Sequence, residues 1–298
     1  MKQWMDAYRE VLASDSAVSD NTRLSYGRDL DDFAAAMERL GVSEPGRLQT
    51  AHIRLYLQQL RQTGKSAATI ARRFVTIRGL CRFGVVRRLL ALDPTLDIEA
   101  PRTEQKRARA LSYDAVKQLL EAARLRSESP SGLRDAAMLE LLYASGLRVS
   151  ELIALDTTHV RTDLAMLQGV GDRRERIVPV GQAAIRLLER YMAEGRPALL
   201  KPDRPQEALF LNRLGARMTR QGCWKIFRQI AREAGVEADL TPRALRGSFA
   251  AHLLENGADV RAVQEMMGHA SPLSTLSYRD GVKAKIKEAY DRAHPRAR

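Results

Sequence analysis

The sequence has few of the residues that build disulfide frameworks, metal centres or membrane spans. Its 298 residues include two cysteines, Cys81 and Cys223, and five histidines without the spacing of a metal site. There is no Walker loop and no dinucleotide-binding fingerprint. No run of residues is apolar enough to cross a bilayer, and the polar first residues are not a secretory signal. These absences favour a cytoplasmic protein that works without a cofactor or metal.

Arginine, in contrast, is abundant. The chain carries 49 basic and 36 acidic residues, a formal net charge of +13, and 40 of the basic residues are arginine. Such an excess indicates a polyanionic partner, most often nucleic acid, and guanidinium groups favour bidentate contacts with phosphate.

The segment 66–92 has six arginines and no acidic residue. Its apolar residues recur at helical spacing, so we predict a helix whose basic side chains contact a phosphate backbone. The alternative interpretation is an ordinary solvated helix face. The candidate contacts are Arg72, Arg73, Arg78 and Arg82.

The hydrophobic pattern predicts two mainly helical domains. Residues 1–95 read as four helices, and residues 96–110 have the proline and charge content of a linker. Residues 111–298 read as a larger domain with a β-hairpin over 159–180. Its helices are expected near 112–123, 133–144, 150, 182–194, 219–234, 243–255, 259–267 and 283–291, with a proline-rich connection at 196–207.

The larger domain holds two arginine-bearing segments. In YASGLRVSEL, Arg148 follows a helix-breaking glycine and Glu151 lies within reach to orient its guanidinium. In residues 241–272, Arg243 and Arg246 are three positions apart and therefore share a helix face. Each feature alone is also compatible with a purely structural role.

Two further polar residues follow these arginines. His269 comes directly after a helix-ending glycine, and Tyr278 stands nine residues later in a short polar segment. A lone tyrosine is more often a half-buried packing residue. It is the order and spacing of the segments together that make the pattern specific.

Taken together, the segments resemble the tyrosine recombinase/integrase family, particularly its Xer-type bacterial members. The resemblance covers most of the chain. It implies a mainly α fold with a small β-sheet: a helical core-binding domain and a tyrosine-recombinase catalytic domain, which form a C-shaped clamp around DNA.

The resemblance also implies roles. Arg148 and Arg246 correspond to the arginines that clamp the scissile phosphate, and His269 to a residue that supports the same phosphate. Tyr278 corresponds to the nucleophile that forms a 3′-phosphotyrosine link. Permanently charged guanidinium groups can stabilise the charge that develops on the phosphate without a metal.

The chain departs from the family pattern at two proton-handling positions. The family places a lysine in the hairpin turn, where it protonates the leaving 5′-oxygen, but this hairpin has no lysine. Val170, Arg173 or Arg174 occupies its neighbourhood, and arginine is a poor proton donor. In addition, Arg243 stands where the family usually has histidine.

The expected function is therefore site-specific recombination of double-stranded DNA, in integration, resolution or chromosome-dimer resolution. The expected assembly is a homo- or heterotetramer on paired sites, in the bacterial cytoplasm and associated with the nucleoid. The alternative is a catalytically impaired relative that acts as a regulator or non-cutting partner. A basic RNA-binding or ribosomal protein would share the charge but not the ordered motifs.

The linker can be tested by limited proteolysis. We expect trypsin to cut first within 96–110, where basic residues lie between the predicted domains, and to leave two resistant fragments on a denaturing gel. A single resistant core with no early cut there would contradict the predicted boundary.

Overall fold

The computed structural model describes residues 1–15, 18, 20–101, 110–170, 176–203, 206–236 and 240–268. The chain divides into two compact units, Met1–Lys106 and Arg107–Arg298. The predicted fold class is confirmed, because helices dominate both units and the second adds one small sheet. Within the described ranges, no helix is long and apolar enough to span a membrane.

The described part of the first unit has four α-helices, as predicted, and one 3-10 turn, Pro45–Arg47. The helices are α1 (Lys2–Ser14), α2 (Asp20–Arg39), α3 (Thr50–Gln62) and α4 (Ala67–Val86). The Ser66 hydroxyl caps α4 by accepting a hydrogen bond from the Thr69 N–H. Glycines with positive φ, Gly41 and Gly64, follow α2 and α3. The helices bury one core, whose fully buried side chains include Phe33, Phe74, Leu30, Met37, Ile53, Ile77 and Leu80.

The chain after α4 stays against this core for several residues. Thr95 and Ile98 are buried, and Arg78 donates a hydrogen bond to the Ile98 carbonyl at 3.1 Å. Most of the predicted linker, 102–109, lies outside the described residues. The boundary near residue 95 and the linker 96–110 therefore stay predictions.

The second unit is built around a buried central helix. Its helices are α5 (Tyr113–Leu125), α6 (Pro130–Ser145), α7 (Val149–Ala154), α8 (Gln182–Arg190), α9 (Arg196–Leu199), α10 (Arg220–Glu233), α11 (Pro242–Glu255) and α12 (Val260–Met267). Most of α6 is buried, and α5, α8 and α11 pack against it. The helix predicted at 283–291 lies outside the described residues.

Among the described residues the sheet has three strands, whereas the sequence indicated two. The stretch 159–168 contains β1 (Val160–Arg161), a turn and the start of β2 (Met166–Val170), which pairs with β3 (Arg176–Pro179). Ala165 adopts positive φ in that turn, which a hydrophobic pattern does not reveal. Both pairings are antiparallel, and Leu167 opposite Val178 forms the buried centre of the sheet.

The helix after the sheet continues further than predicted. A π-helical turn, Tyr191–Gly195, joins α8 to α9, so the connection expected at 196–207 is helical at its start. Pro197 lies in the first turn of α9, where a missing N–H costs little.

Leu111, near the start of the second unit, is held by α11. Its N–H donates to the Ser248 hydroxyl at 2.8 Å, and its carbonyl lies 3.0 Å from His252 Nε2. Because a carbonyl only accepts, Nε2 donates this hydrogen bond, and Nδ1 lies 2.9 Å from the Tyr143 hydroxyl.

Gly146 provides a test of packing between α6 and α11. It ends α6 with φ +59°, and a Cβ there would lie 2.2 Å from the Phe249 ring. We expect Gly146→Ala to lower the free energy of unfolding by about 2–4 kcal/mol, from left-handed strain together with overpacking.

Gly235→Ala is the matched control. Gly235 also has positive φ, +71°, but no atom lies within 4 Å of its added Cβ. The control should lose only about 1–2 kcal/mol from backbone strain in urea unfolding. Equal losses in the two variants would show that the Phe249 contact adds nothing.

Candidate active site

Three arginines converge on one buried carboxylate, that of Glu151. Arg148 Nη1 donates to Oε1 at 2.6 Å, and the Arg148 backbone N–H donates to Oε2 at 2.7 Å. Arg176 donates from Nη1 to Oε1 at 3.0 Å and from Nη2 to Oε2 at 2.9 Å. Arg246 Nη1 lies 3.7 Å from Oε2. Glu151 thus contacts Arg148, and two more guanidinium groups surround the same carboxylate, while its role in orienting Arg148 stays a prediction.

The pKa of Glu151 lies below its usual value. Burial alone would raise it, but hydrogen bonds from Arg176 and from the Arg148 N–H, with the charges of both arginines, outweigh that effect. The carboxylate is therefore ionised at neutral pH. The stability that this pKa provides is complete above the unfolded-state value and is lost as the pH falls through the lower, folded-state value.

The carbonyl oxygens at two helix ends also accept hydrogen bonds from these arginines. Arg246 donates to the Gly146 carbonyl at the end of α6, at 2.5 Å, and to the Met267 carbonyl at the end of α12. Arg148 Nη2 approaches the Gly268 carbonyl at 3.4 Å. Carbonyls at helix C-termini carry partial negative charge, so they favour cations.

Left-handed glycines make both helix ends possible. Gly146 and Gly268 have φ +59° and +61° and end α6 and α12. A Cβ on Gly268 would lie 3.0 Å from Arg176 Nη1, so a side chain there would crowd the guanidinium.

Arg243 and Arg246 differ sharply in their surroundings. Arg246 is buried beside Glu151, whereas Arg243 is exposed, one turn earlier on α11. Exposure leaves Arg243 accessible to a bound ligand. Arg148 is exposed as well, with 47% of its side chain accessible to solvent.

Arg176 is the residue that sequence reasoning missed. The alternation of β3 gives the signal that could have found it, because Arg176 and buried Val178 share one face of the strand. A charged residue on the inward face needs a partner, and that partner comes from distant α7.

Several predicted site residues lie beyond the described part of the chain. They are Arg173, Arg174, His269 and Tyr278. The backbone of Val170 is described, and it pairs with Arg176 across the hairpin. The described residues contain no cluster of potential metal ligands.

Carboxylates of α2 engage two of the predicted DNA-binding arginines on α4. Arg72 bonds to buried Asp29, and Arg73 bonds to Asp32 and to the Tyr56 hydroxyl. Only 11% of the Arg73 side chain is exposed, so it ties α2, α3 and α4 together. The charge count along α4 gave no sign of these partners, because they belong to another helix.

The other two arginines of α4 have different environments. Arg78 stacks on the Phe74 ring, with its guanidinium carbon 4.5 Å from the ring centre, and donates to the Ile98 carbonyl. Arg82 is exposed on the helix surface. The structure therefore favours Arg82, and the half-exposed Arg72, as the positions from which α4 could reach a phosphate backbone.

Comparison with known families identifies both units. The model of the phage integrase family matches residues 109–284, and that of the phage integrase N-terminal SAM-like domain matches residues 5–88. The chain belongs to the phage integrase family. It is a tyrosine-type site-specific recombinase, as the ordered motifs predicted.

Bacterial recombinases align with this chain over nearly its full length. The tyrosine recombinase XerD of Listeria monocytogenes serotype 4b (strain F2365) is 40% identical, with 100% of both chains covered. The tyrosine recombinase XerD of Oceanobacillus iheyensis is 42% identical over 98% of each. The fold resembles the Tn1549 transposon integrase in complex with circular intermediate DNA, with a TM-score of 0.75, 18% identity, and 95% and 98% of the two chains covered.

The different environments on α4 generate a prediction. Arg82→Ala should weaken binding to any duplex and reduce the slope of log affinity against log salt by about one, because one phosphate contact is lost. Arg73→Ala is the comparison: it should leave that slope unchanged but destabilise the first unit by about 1–3 kcal/mol, because Asp32 and the Tyr56 hydroxyl lose the guanidinium that ties them to α4, while Asp29 keeps Arg72. An unchanged slope for Arg82→Ala would make Arg82 a solvated charge only.

Proposed function

We propose that this recombinase cuts and rejoins double-stranded DNA through a covalent link to Tyr278, with Arg148 and Arg246 binding the scissile phosphate. The observation that supports this most is the cluster at Glu151. Its three guanidinium groups and one carboxylate sum to a formal charge of +2, and two of the arginines are those that the motifs assign to the phosphate.

The chemistry needs such a charge. The Tyr278 oxygen attacks phosphorus, the bond to the 5′-oxygen breaks, and the proton lost by the phenol is balanced by one gained at the 5′-oxygen. Negative charge grows on the non-bridging oxygens during the attack. Fixed guanidinium groups stabilise that charge without having to reorganise, and they favour the ionised phenol. Rejoining reverses these steps with the 5′-hydroxyl of another strand.

Preorganisation is the contribution of the described residues. Arg246 is buried and held by two helix-end carbonyls, while Arg148 is held by Glu151 on one side and remains half exposed on the other. The exposed part of Arg148 can therefore meet a phosphate that approaches from solvent. Arg243, exposed on α11, adds positive charge one turn away.

Protonation of the leaving 5′-oxygen is the step that the family assigns to a hairpin lysine, and the hairpin of this chain has no lysine. Arg173 or Arg174 of the hairpin turn supplies charge there, and His269 supports the phosphate. General acid catalysis typically contributes about 10²–10⁴-fold, so the 5′-oxygen leaves slowly in this protein.

The partner is double-stranded DNA, and the working assembly is a tetramer, of identical or mixed subunits, on two paired sites. The net charge of +13 and the DNA-bound state of the related Tn1549 integrase support the DNA partner. The place of action is the bacterial cytoplasm, at the nucleoid. We infer a helical DNA-binding domain over 1–95 and a catalytic domain over 111–298, joined by the linker 96–110.

The test uses a nicked recombination site that traps a covalent adduct. Tyr278→Phe should abolish the denaturation-resistant adduct and spare DNA binding, because only the phenolic oxygen is lost. Replacing the 5′-bridging oxygen by sulfur should accelerate cleavage by about 10²–10⁴-fold, since a thiolate leaves with little help from an acid.

Two sets of variants distinguish a defect in protonation of the leaving oxygen from a defect in charge stabilisation of the phosphate. Of the three variants Val170→Lys, Arg173→Lys and Arg174→Lys, one should accelerate cleavage of the oxygen substrate. The same variant should change cleavage of the sulfur substrate little. Arg148→Ala should be slow on both substrates, because it removes charge stabilisation. If wild-type protein forms no adduct with the sulfur substrate on its own site, the non-cutting alternative is the better description.

A further inference from the structure

Arg176 donates from all three of its guanidinium nitrogens to other parts of the second unit. Nη1 and Nη2 form a bidentate pair with Glu151 on α7, and Nε donates to the Met266 carbonyl on α12 at 2.8 Å. The residue itself lies on β3. One side chain therefore connects the hairpin, the short helix after Arg148 and the end of α12.

The burial of Arg176 separates its role from that of Arg148. Only 12% of the Arg176 side chain is exposed, against 47% for Arg148. Its bidentate face is directed at Glu151 rather than at solvent. A phosphate bound by Arg148 would therefore contact Arg176 only through intervening groups.

Glu151 needs the partner that Arg176 provides. The carboxylate is 8% exposed, and burial of a carboxylate is costly unless it is paired and hydrogen-bonded. It also holds both the backbone N–H and the guanidinium of Arg148 at the start of α7, a helix of only six residues. Moving this carboxylate would move the guanidinium of Arg148.

We propose that Arg176 is a positioning residue for DNA cleavage: it fixes Glu151, and through Glu151 the guanidinium of Arg148. This rests on the proposed contact between Arg148 and the scissile phosphate. Lysine cannot replace Arg176, because one ammonium group cannot form a bidentate pair and reach a third acceptor in another direction.

The proposal predicts a rate defect without a binding defect. With saturating DNA, Arg176→Lys should form the covalent adduct about 10–100-fold more slowly, since small displacements of a catalytic group have effects of this size. DNA affinity should stay within about two-fold, because the guanidinium of Arg176 is buried against Glu151 and the Met266 carbonyl and is not left to bind a DNA phosphate. Arg161→Lys is the matched control: Arg161 lies in the same sheet and pairs with Asp163, but it is exposed, and its adduct rate should be unchanged.

A methylphosphonate at the scissile position distinguishes positioning from a general loss of structure. It lacks one of the negative charges that Arg148 stabilises, so misplacing Arg148 should cost less on this substrate than on the phosphate. Arg176→Lys should therefore be slowed severalfold less on the methylphosphonate. A variant with a damaged fold would lose the same factor on both substrates, and that result would overturn the proposal.

A double-mutant comparison tests the route through Glu151. If Arg176 acts through this carboxylate, Arg176→Lys combined with Glu151→Gln should be no slower than Glu151→Gln alone. Rate losses that multiply would contradict the proposal. Should Arg176→Lys fail to fold in a thermal scan, Arg176→Gln serves as the second variant in the same comparisons.

The outcomes also separate this inference from the proposed function. A wild-type protein that forms no adduct on any substrate overturns both, because the positioning role presupposes cleavage. A wild-type protein that cleaves, together with an unimpaired Arg176→Lys, overturns the positioning role alone.

Discussion

The site depends on the sharing of one buried carboxylate among three guanidinium groups. Glu151 alone would be costly to bury, and Arg148, Arg176 and Arg246 would repel one another without it. Each charge is tolerated because the others are present. The result is a cluster in which ion pairs, in addition to apolar packing, hold α7, β3 and α11 together.

The ends of helices complete this arrangement. Carbonyls of Gly146, Met266, Met267 and Gly268 accept from the same arginines, and two left-handed glycines shape the turns that present them. The positive charge of the cluster is thus oriented by partial charges of the backbone, which are fixed by the helices that carry them. Preorganised charge of this kind is what stabilises a phosphoryl group during in-line attack.

Features encoded within a few residues were predictable from the sequence. The helices of the first unit follow from apolar spacing, and Glu151 could be assigned to Arg148 because the two lie three positions apart around a helix start. Features that depend on distant partners were not. Arg176 looked like an ordinary strand residue until α7 supplied its carboxylate. Arg73 looked like a surface cation until α2 supplied Asp32.

The third strand and the continued helix at Arg196–Leu199 were missed for a local reason. The positive φ of Ala165 and a π-helical turn leave no mark in hydrophobic periodicity.

The hold on Leu111 has a mechanical consequence. Its N–H and carbonyl are bonded to Ser248 and His252, which lie two and six positions after Arg246 on α11. A pull on the chain at Leu111 would therefore be resisted by α11, the helix that carries Arg246, and through His252 by Tyr143 near the end of α6. The start of the second unit is thus fastened to the same helix that holds Arg246 beside Glu151, so the position of Leu111 and the geometry of the arginine cluster are coupled through α11.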